Sequence, residues 1–286
     1  MENRLYFSCG RSMKYIFLDI DGTLFSSRIN GVPESALKAV RIAREKGSRI
    51  FLCTGRSLAE CADYFRFDTN GFLFGAGAMI YADGKRIYDH PFESSEVQKI
   101  KDLIRSCGFC WMAEGAAGAY YDEDSKYYIA KYYAGHEVTD PDEARYLCVK
   151  HNVYPEMYED ADEKIYKFCA YAPYDSDYSR LRNSLPDQYA LNFSYHSPEM
   201  FDCAEITDKT INKATGIQRV LEYYHADRSE AVGIGDSEND IPMMHACGIG
   251  IAMGNAMPSV KEQADWVTTD ILDDGIWNAF EHIGIL

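Results

Sequence analysis

Residues 15–24 read Tyr15-Ile16-Phe17-Leu18-Asp19-Ile20-Asp21-Gly22-Thr23-Leu24, an apolar run that ends abruptly in two carboxylates. Tyr15 to Leu18 predicts a strand buried on both faces, the kind found inside parallel sheets. Gly22 breaks it. Residues i and i+2 of a strand project to one side, so Asp19 and Asp21 are expected to face the same way at its carboxyl end. Such a pair is either an ordinary polar turn or two acids that share a cation, and the rest of the chain has to decide between them.

Outward from this stretch, Pro33 to Lys46 predicts a helix, with Pro at its start, Leu37, Val40 and Ala43 at helical spacing, and Gly47 as its stop. Arg49 to Cys53 is a second buried strand, which completes a parallel β-α-β unit. It ends in Thr54-Gly55-Arg56, and Ser57 with Glu60 three residues on predicts a capping box that opens the next helix. Phe72–Phe74 and Ala78–Tyr81 read as short strands, and Asp83-Gly84 as a hairpin turn. Residues 84–200 differ in texture, since they hold 16 of the 22 tyrosines. This span mixes a helix (Glu96 to Ser106), short alternating runs such as Lys164 to Tyr171, and proline-punctuated loops, and it reads as an inserted α+β domain. Its tyrosines are expected to pack a core rather than to line a site.

The parallel-sheet pattern is expected to resume near Phe201. Asn212 is placed to cap a helix carrying Ile217, Val220, Leu221 and Tyr224, which sets Lys213 in its first turn. A cation is unfavourable there unless an anion lies beside it. Ala231–Ile234 predicts another buried strand, followed by Gly235-Asp236-Ser237-Glu238-Asn239-Asp240, with Asp240 as the cap of the next helix. Ile249–Met253 and Asp265–Thr268 supply two more strands, and Ile276–His282 a last helix. The fold class is therefore α/β, with a Rossmann-like parallel-sheet core in residues 13–83 and 201–286 and a cap in 84–200. Residues 1–12 match no pattern and read as a disordered tail.

Ligands bind open parallel sheets at the carboxyl ends of the strands, where this chain sets Asp19, Asp21, Thr54, Asp236 and Asp240, with Lys213 at a nearby helix start. Carboxylates without histidine or thiolate suit a hard cation such as Mg²⁺ rather than zinc. Such a site beside a lysine and a hydroxyl fits phosphoryl transfer. Asp19 is the expected nucleophile, and Asp21 the group that protonates the leaving oxygen and later activates water.

Asp19-Ile20-Asp21-Gly22-Thr23, Thr54-Gly55-Arg56, Lys213 and Gly235-Asp236-x-x-Asn239-Asp240 resemble the four motifs of the haloacid dehalogenase superfamily. Their order, the large insert, Glu205-Ile206, and Ala252-Met253-Gly254-Asn255-Ala256 resemble its Cof-type phosphatase branch with a C2B cap. The resemblance implies a Mg²⁺-dependent phosphohydrolase acting on a small phosphorylated metabolite such as a sugar phosphate. Asp19, Asp236 and the Asp21 backbone carbonyl would hold the metal, with Asp240 orienting its water. Thr54, Lys213 and Asn239 would hold the phosphate, in a site that also takes in Ile20, Gly55 and Arg56. Ala76 stands where the family usually has Asn, and Thr210 and Ala214 where it usually has Gly.

The net charge of −16 argues against nucleic-acid or anionic-membrane binding. No run is long enough to span a bilayer. Nine cysteines without regular spacing point to free thiols and a cytoplasmic protein, with Cys107-x-x-Cys110 weakly suggestive of redox or zinc chemistry. The acidic cluster Glu159, Asp160, Asp162 and Glu163 reads as a solvated loop. A monomer or a homodimer is expected. Two other functions stand beside the phosphatase. A hexose phosphomutase would need clustered cap arginines, and Arg86, Arg105, Arg145, Arg180 and Arg182 are spread out. A non-catalytic phosphosugar sensor would not need all four motifs.

Overall fold

The computed structural model describes residues 15–61, 67–158 and 162–286. The expected tail, most of the helix after Ser57, and Glu159 and Asp160 lie outside the described residues. β1 (Tyr15–Asp19) is buried at every position, α1 spans Glu34–Glu45 and β2 spans Arg49–Cys53. The two strands pair in parallel, with Tyr15 opposite Arg49 and Asp19 opposite Cys53. α1 turns Ala36, Ala39, Val40 and Ala43 inward. Leu37, expected on that face, is 41% exposed, because a 100° step per residue carries it to the flank of a stripe centred on the alanines. β3 (Gly71–Phe74) is followed by β4 (Met79–Ala82) and β5 (Lys85–Asp89). Asp83 and Gly84, at φ 47° and 75°, make the tight turn between the last two.

The cap follows, with α2 (Ser94–Ser106), β6 (Cys110–Gly115), β7 (Ala119–Tyr121), α3 (Ser125–Ala134), α4 (Pro141–Lys150), β8 (Val153–Pro155), β9 (Ile165–Ala172), α5 (Ser179–Ser184), β10 (Tyr189–His196) and β11 (Asp202–Asp208). The chain then returns through α6 (Lys213–Tyr223), β12 (Ala231–Gly235), α7 (Ile241–Ala246), β13 (Ile249–Ala252), α8 (Pro258–Lys261), β14 (Trp266–Val267) and α9 (Gly275–His282). The core sheet runs β14-β13-β12-β1-β2-β3-β4-β5, parallel as far as β3 and antiparallel at β4 and β5. α1 and α9 pack on one face, against Ile16, Leu18, Ile50 and Leu52. α6 covers the other, against Phe17, Phe51 and Leu73. Burial on both sides explains why these strands read as continuous apolar runs.

The cap sheet runs β10-β11-β9-β6-β7-β8. α2 and α5 pack on the face that carries Trp111, Phe168 and Ala204; Ile129 of α3 and Cys148 of α4 pack on the face that carries Met112, Cys169 and Tyr171. Residues from 201 on were expected in the core, but β11 pairs antiparallel with β10 and β9, while β5 joins the core sheet. Sheet membership therefore changes near residues 90 and 209, because a buried strand has the same local pattern whichever sheet it joins. Tyr120, Tyr121, Tyr166, Tyr171, Tyr178 and Tyr189 are buried, whereas Tyr132, Tyr146 and Tyr174 are exposed. Glu163 does not stand in solvent as a loop charge. It accepts hydrogen bonds from the amides of Ala116 (2.6 Å) and Ala117 (3.0 Å) in the β6–β7 turn. The eight described cysteines are free, and burial pushes the Cys110 thiol up to about 12, which leaves it protonated and unreactive at neutral pH. Among the described residues no helix is long and apolar enough to cross a membrane.

Candidate active site

Asp19 ends β1 and is 6% exposed. The partner of its carboxylate comes from α6, and local chemistry fixes where that helix begins. Asn212 accepts a hydrogen bond from the Thr215 amide (3.0 Å) and Thr215 reaches back to the Asn212 amide, a capping box that satisfies two otherwise orphaned donors. Lys213, in the first turn, is 1% exposed and donates to Asp19 Oδ1 (2.6 Å) and to Asp240 Oδ1 (2.5 Å). The anions that a cation at a helix start requires are therefore supplied from β1 and from the loop after β12. Burial alone would lower the Lys213 pKa, but the two carboxylates outweigh it and hold it above its usual value. Burial, reinforced by Asp240 and opposed by Lys213, raises Asp19 well above the ordinary carboxylate range.

Asp240 does not cap α7 through its side chain. Its Oδ2 turns back to accept from the amides of Asp236 and Ser237 (3.0 Å each) and from the Ser237 hydroxyl (3.1 Å), because Lys213 draws Oδ1 into the site and away from the helix axis. That loop presents Asp236, whose pKa burial and Asp240 push up to about 6. Carboxylate oxygens of Asp19, Asp236 and Asp240 lie within 4.8 Å of one another. Two buried acids and the half-buried Asp236 against one lysine make an excess of negative charge with only oxygen donors, a set that fits a hard divalent cation. The turn after β1 is shaped around this cluster. Gly22 adopts φ +83°, and a Cβ there would stand 2.1 Å from Asp236 Oδ2.

Asp21 departs from the expected orientation. β1 stops at Asp19, so strand alternation does not carry past it, and Asp21 points to different partners. Arg56 grips it bidentately, with Nε to Oδ2 at 2.7 Å and Nη2 to Oδ1 at 2.6 Å, so in this structure Arg56 serves the second carboxylate. Thr54, 2% exposed, lies one residue past the strand position opposite Asp19, and its hydroxyl accepts from the Arg56 amide (3.0 Å). The amide nitrogen of Asn239 is 4.0 Å from where a Cβ on Gly55 would stand, which brings the loop after β12 against the Thr54–Gly55 turn. Ile20 is buried, and its carbonyl accepts from the amides of Leu24 (2.9 Å) and Phe25 (2.7 Å). At Ser57 and Glu60 half of the expected box is present, with the Ser57 amide and hydroxyl both donating to Glu60 Oε2 (3.0 Å each).

Ala76 sits at φ 56°, ψ 26°, a left-handed conformation that asparagine tolerates better than alanine. Gly77 beside it, at φ +103°, lets the turn approach Gly216 of α6, whose Cα lies 3.0 Å from a Cβ built on Gly77. Sequence reasoning gave no role to Thr23, which is fully buried and donates to Asp236 Oδ1 (3.4 Å). Nor did it give one to Asn255, which donates to the Gly22 carbonyl (2.7 Å) and accepts from the Ile271 amide (2.9 Å). Both lie inside quoted motifs, so the signal was present without its partner.

Comparison with known proteins places these observations. A family model described as haloacid dehalogenase-like hydrolase matches residues 16–280. The 5-amino-6-(5-phospho-D-ribitylamino)uracil phosphatase YcsE of Bacillus subtilis (strain 168) is 27% identical over 271 residues, covering 94% of this chain and 95% of that protein. A phosphoglycolate phosphatase of Methanothermobacter thermautotrophicus is 24% identical over 270 residues, 93% of this chain and 97% of that one. Among solved structures, BT1666 of Bacteroides thetaiotaomicron, from a study of phosphatases of the same superfamily, superposes with a TM-score of 0.79 at 26% identity over 100% of both chains. The subclass IIB sugar phosphatase BT4131 does so with a TM-score of 0.71 at 25% identity, over 96% of this chain and 100% of that one.

Proposed function

Because the chain belongs to the haloacid dehalogenase-like hydrolase family, we propose that it is a phosphatase that releases phosphate from a small phosphorylated metabolite, a sugar or sugar-like phosphate, with Asp19 as nucleophile. The observation that carries this is Lys213, buried and hydrogen-bonded at 2.6 Å to Asp19 at the carboxyl edge of the sheet. That bond fixes the rotation of the Asp19 carboxylate and places a positive charge where a phosphoryl group would arrive.

In this mechanism an Asp19 oxygen attacks phosphorus while the bond to the leaving oxygen breaks, and Asp21 gives that oxygen its proton. Water then attacks the aspartyl phosphate, Asp21 takes the proton back, and free Asp19 and inorganic phosphate result. Thr54, Lys213 and Asn239 hold the phosphoryl oxygens. Mg²⁺ would be held by Asp19, Asp236 and the Asp21 backbone carbonyl, with Asp240 beside them, and would supply compensating charge for the phosphoryl group. The fit of the oxygen-only cluster to a hard cation supports that choice. The free state of all eight described cysteines supports a cytoplasmic setting. The phosphomutase has less in its favour, since Arg105 of the cap is taken up by Glu156 (2.8 Å) and Arg86 by Asp89 (3.5 Å).

A panel of phosphorylated sugars, nucleotides and pyridoxal phosphate tests this reading. Phosphate release is expected with Mg²⁺, loss of release with EDTA, and recovery on adding Mg²⁺ back. Isomerisation of a hexose phosphate without release would favour the mutase, and binding without turnover the sensor.

A further inference from the structure

The chain crosses between core and cap twice, and the two crossings are bonded to each other. At the first, the His90 amide donates to the Ala78 carbonyl of the core (2.8 Å) and the Phe92 amide to the Ile165 carbonyl of the cap (2.7 Å). Pro91 between them has no amide to commit to either side, so the change of domain falls on that residue. At the second, the Lys209 amide still donates to the cap, at the Gln188 carbonyl (2.9 Å), and Asn212 already caps α6. His90 Nε2 meets Asp208 Oδ2 at 3.2 Å and joins one crossing to the other. Burial raises the Asp208 pKa, but the bonds from Thr210 and the His90 ring outweigh it and hold the carboxyl below its usual range. An ionised carboxylate only accepts, so the imidazole donates. A cavity of about 170 Å³, walled by Phe92, Tyr166, Tyr189 and Ile211, lies beside the pair and leaves it room to part.

The other oxygen of Asp208 leads to the site. Oδ1 accepts from the Thr210 amide (2.7 Å) and hydroxyl (2.6 Å). The Thr210 carbonyl in turn accepts from the Thr215 hydroxyl (3.0 Å), and Thr215 closes the box with Asn212 that starts α6. The next residue is Lys213, 2.6 Å from Asp19. Hydrogen bonds thus run from the first crossing, through one carboxylate and one turn, to the helix start that carries the lysine. The Thr210 hydroxyl is a link that glycine, the usual residue of the family at this place, would lack.

We infer that His90 and Asp208 are positioning residues that couple the hinge of the cap to Lys213, an inference that rests on the phosphatase reading above and goes beyond it. The two crossings are the covalent links of the cap to the core, so a cap that moves turns about them and changes the separation of His90 from Asp208. The carboxylate shared with Thr210 passes that change to the turn before α6. Lys213 then holds the Asp19 carboxylate best when the crossings are latched, as they are in this structure.

Hydrolysis of p-nitrophenyl phosphate by the full chain with Mg²⁺, with Tm measured in parallel, tests the coupling. Asp208→Ala is expected to lower kcat about tenfold, the scale of losing hydrogen bonds to one charged group, and to change KM by less than about twofold. Asp208→Asn keeps an oxygen for Thr210, and its amide donates to the other ring tautomer of His90, so it is expected to restore most of kcat. His90→Ala is expected to lower kcat about threefold in the wild type and not at all in the Asp208→Ala background, because residues that act through one contact are not additive. If Asp208→Ala does not fold, Thr210→Val, which loses the hydroxyl, is expected to lower kcat, and Thr210→Ser to retain it. Variants that lose Tm but keep kcat would show a tie that only stabilises the fold, and independent effects of His90→Ala and Asp208→Ala on kcat would show that no path joins them; either result overturns the inference and leaves the phosphatase reading intact. No phosphate release by the wild type from this substrate or from the panel above removes both.

Discussion

Asp19 is hydrogen-bonded to a buried lysine and Asp21 to a half-exposed arginine, and the mechanism proposed above gives these two acids, only two residues apart, different roles. In that mechanism Asp21→Asn removes the group proposed to activate water while leaving the proposed nucleophile in place. Turnover is expected to fall about 10²- to 10⁴-fold, with phosphorylated enzyme accumulating after an acid quench; a rate near wild type would contradict the acid-base role. Asp236 carries a testable pH dependence. Its folded pKa is raised to about 6 by burial and Asp240, above about 3.9 for a free aspartate. In the metal-free protein its contribution to stability is thus full below about pH 4 and is lost as pH rises through about 6. Mg²⁺ needs the ionised form, so the gain in Tm on adding Mg²⁺ is expected to be larger at pH 7.5 than at pH 5, as thermal denaturation can check. These residue types were legible in the sequence, but their partners were not. Arg56 was expected at the phosphate and grips Asp21, because which side chain an arginine reaches is decided by how neighbouring strand ends are spaced.

The start of α6 is the element on which the site depends most. Asn212→Ala removes the side chain that accepts from the Thr215 amide and is expected to cost about 1 kcal/mol, read by urea denaturation. Because the same turn carries Lys213, kcat is expected to fall as well. A stability loss with unchanged kcat would show that the cap does not position the lysine. Features of this kind were readable because they are local: the Asn212 cap, the Asp83-Gly84 turn and the β1-α1-β2 unit depend on residues close in sequence. Asp240 shows where that stops. Its place before α7 suggested a cap, and its actual role depends on Lys213, 27 residues away, which no local pattern reports. Leu37 likewise fitted the helical spacing, yet three alanines outweighed it in setting the buried face.

At the scale of the whole molecule, two sheets built from separate stretches of chain meet near the carboxyl ends of the core strands, and the contact of Lys167 with Gly55 is one point where they touch. The parallel pairing of β1 and β2 followed from two buried runs joined by a crossover helix, whereas the order of the other core strands is known only from their pairing. The exact return from cap to core did not, because β11 reads as a buried strand whose partners, β9 and β10, are identified only by pairing. Lys167 was passed over for a related reason. A lysine inside the alternating run of β9 carries a signal only once Glu114, 53 residues earlier, and Glu205 are known to flank it. We propose that this assembly presents Asp19 as a nucleophile. Phosphate release in Mg²⁺ from the best substrate of the wild-type protein, measured again with Asp19→Asn, tests it most directly. The variant is expected to fold and to release no phosphate above background, and turnover comparable to wild type would contradict the claim.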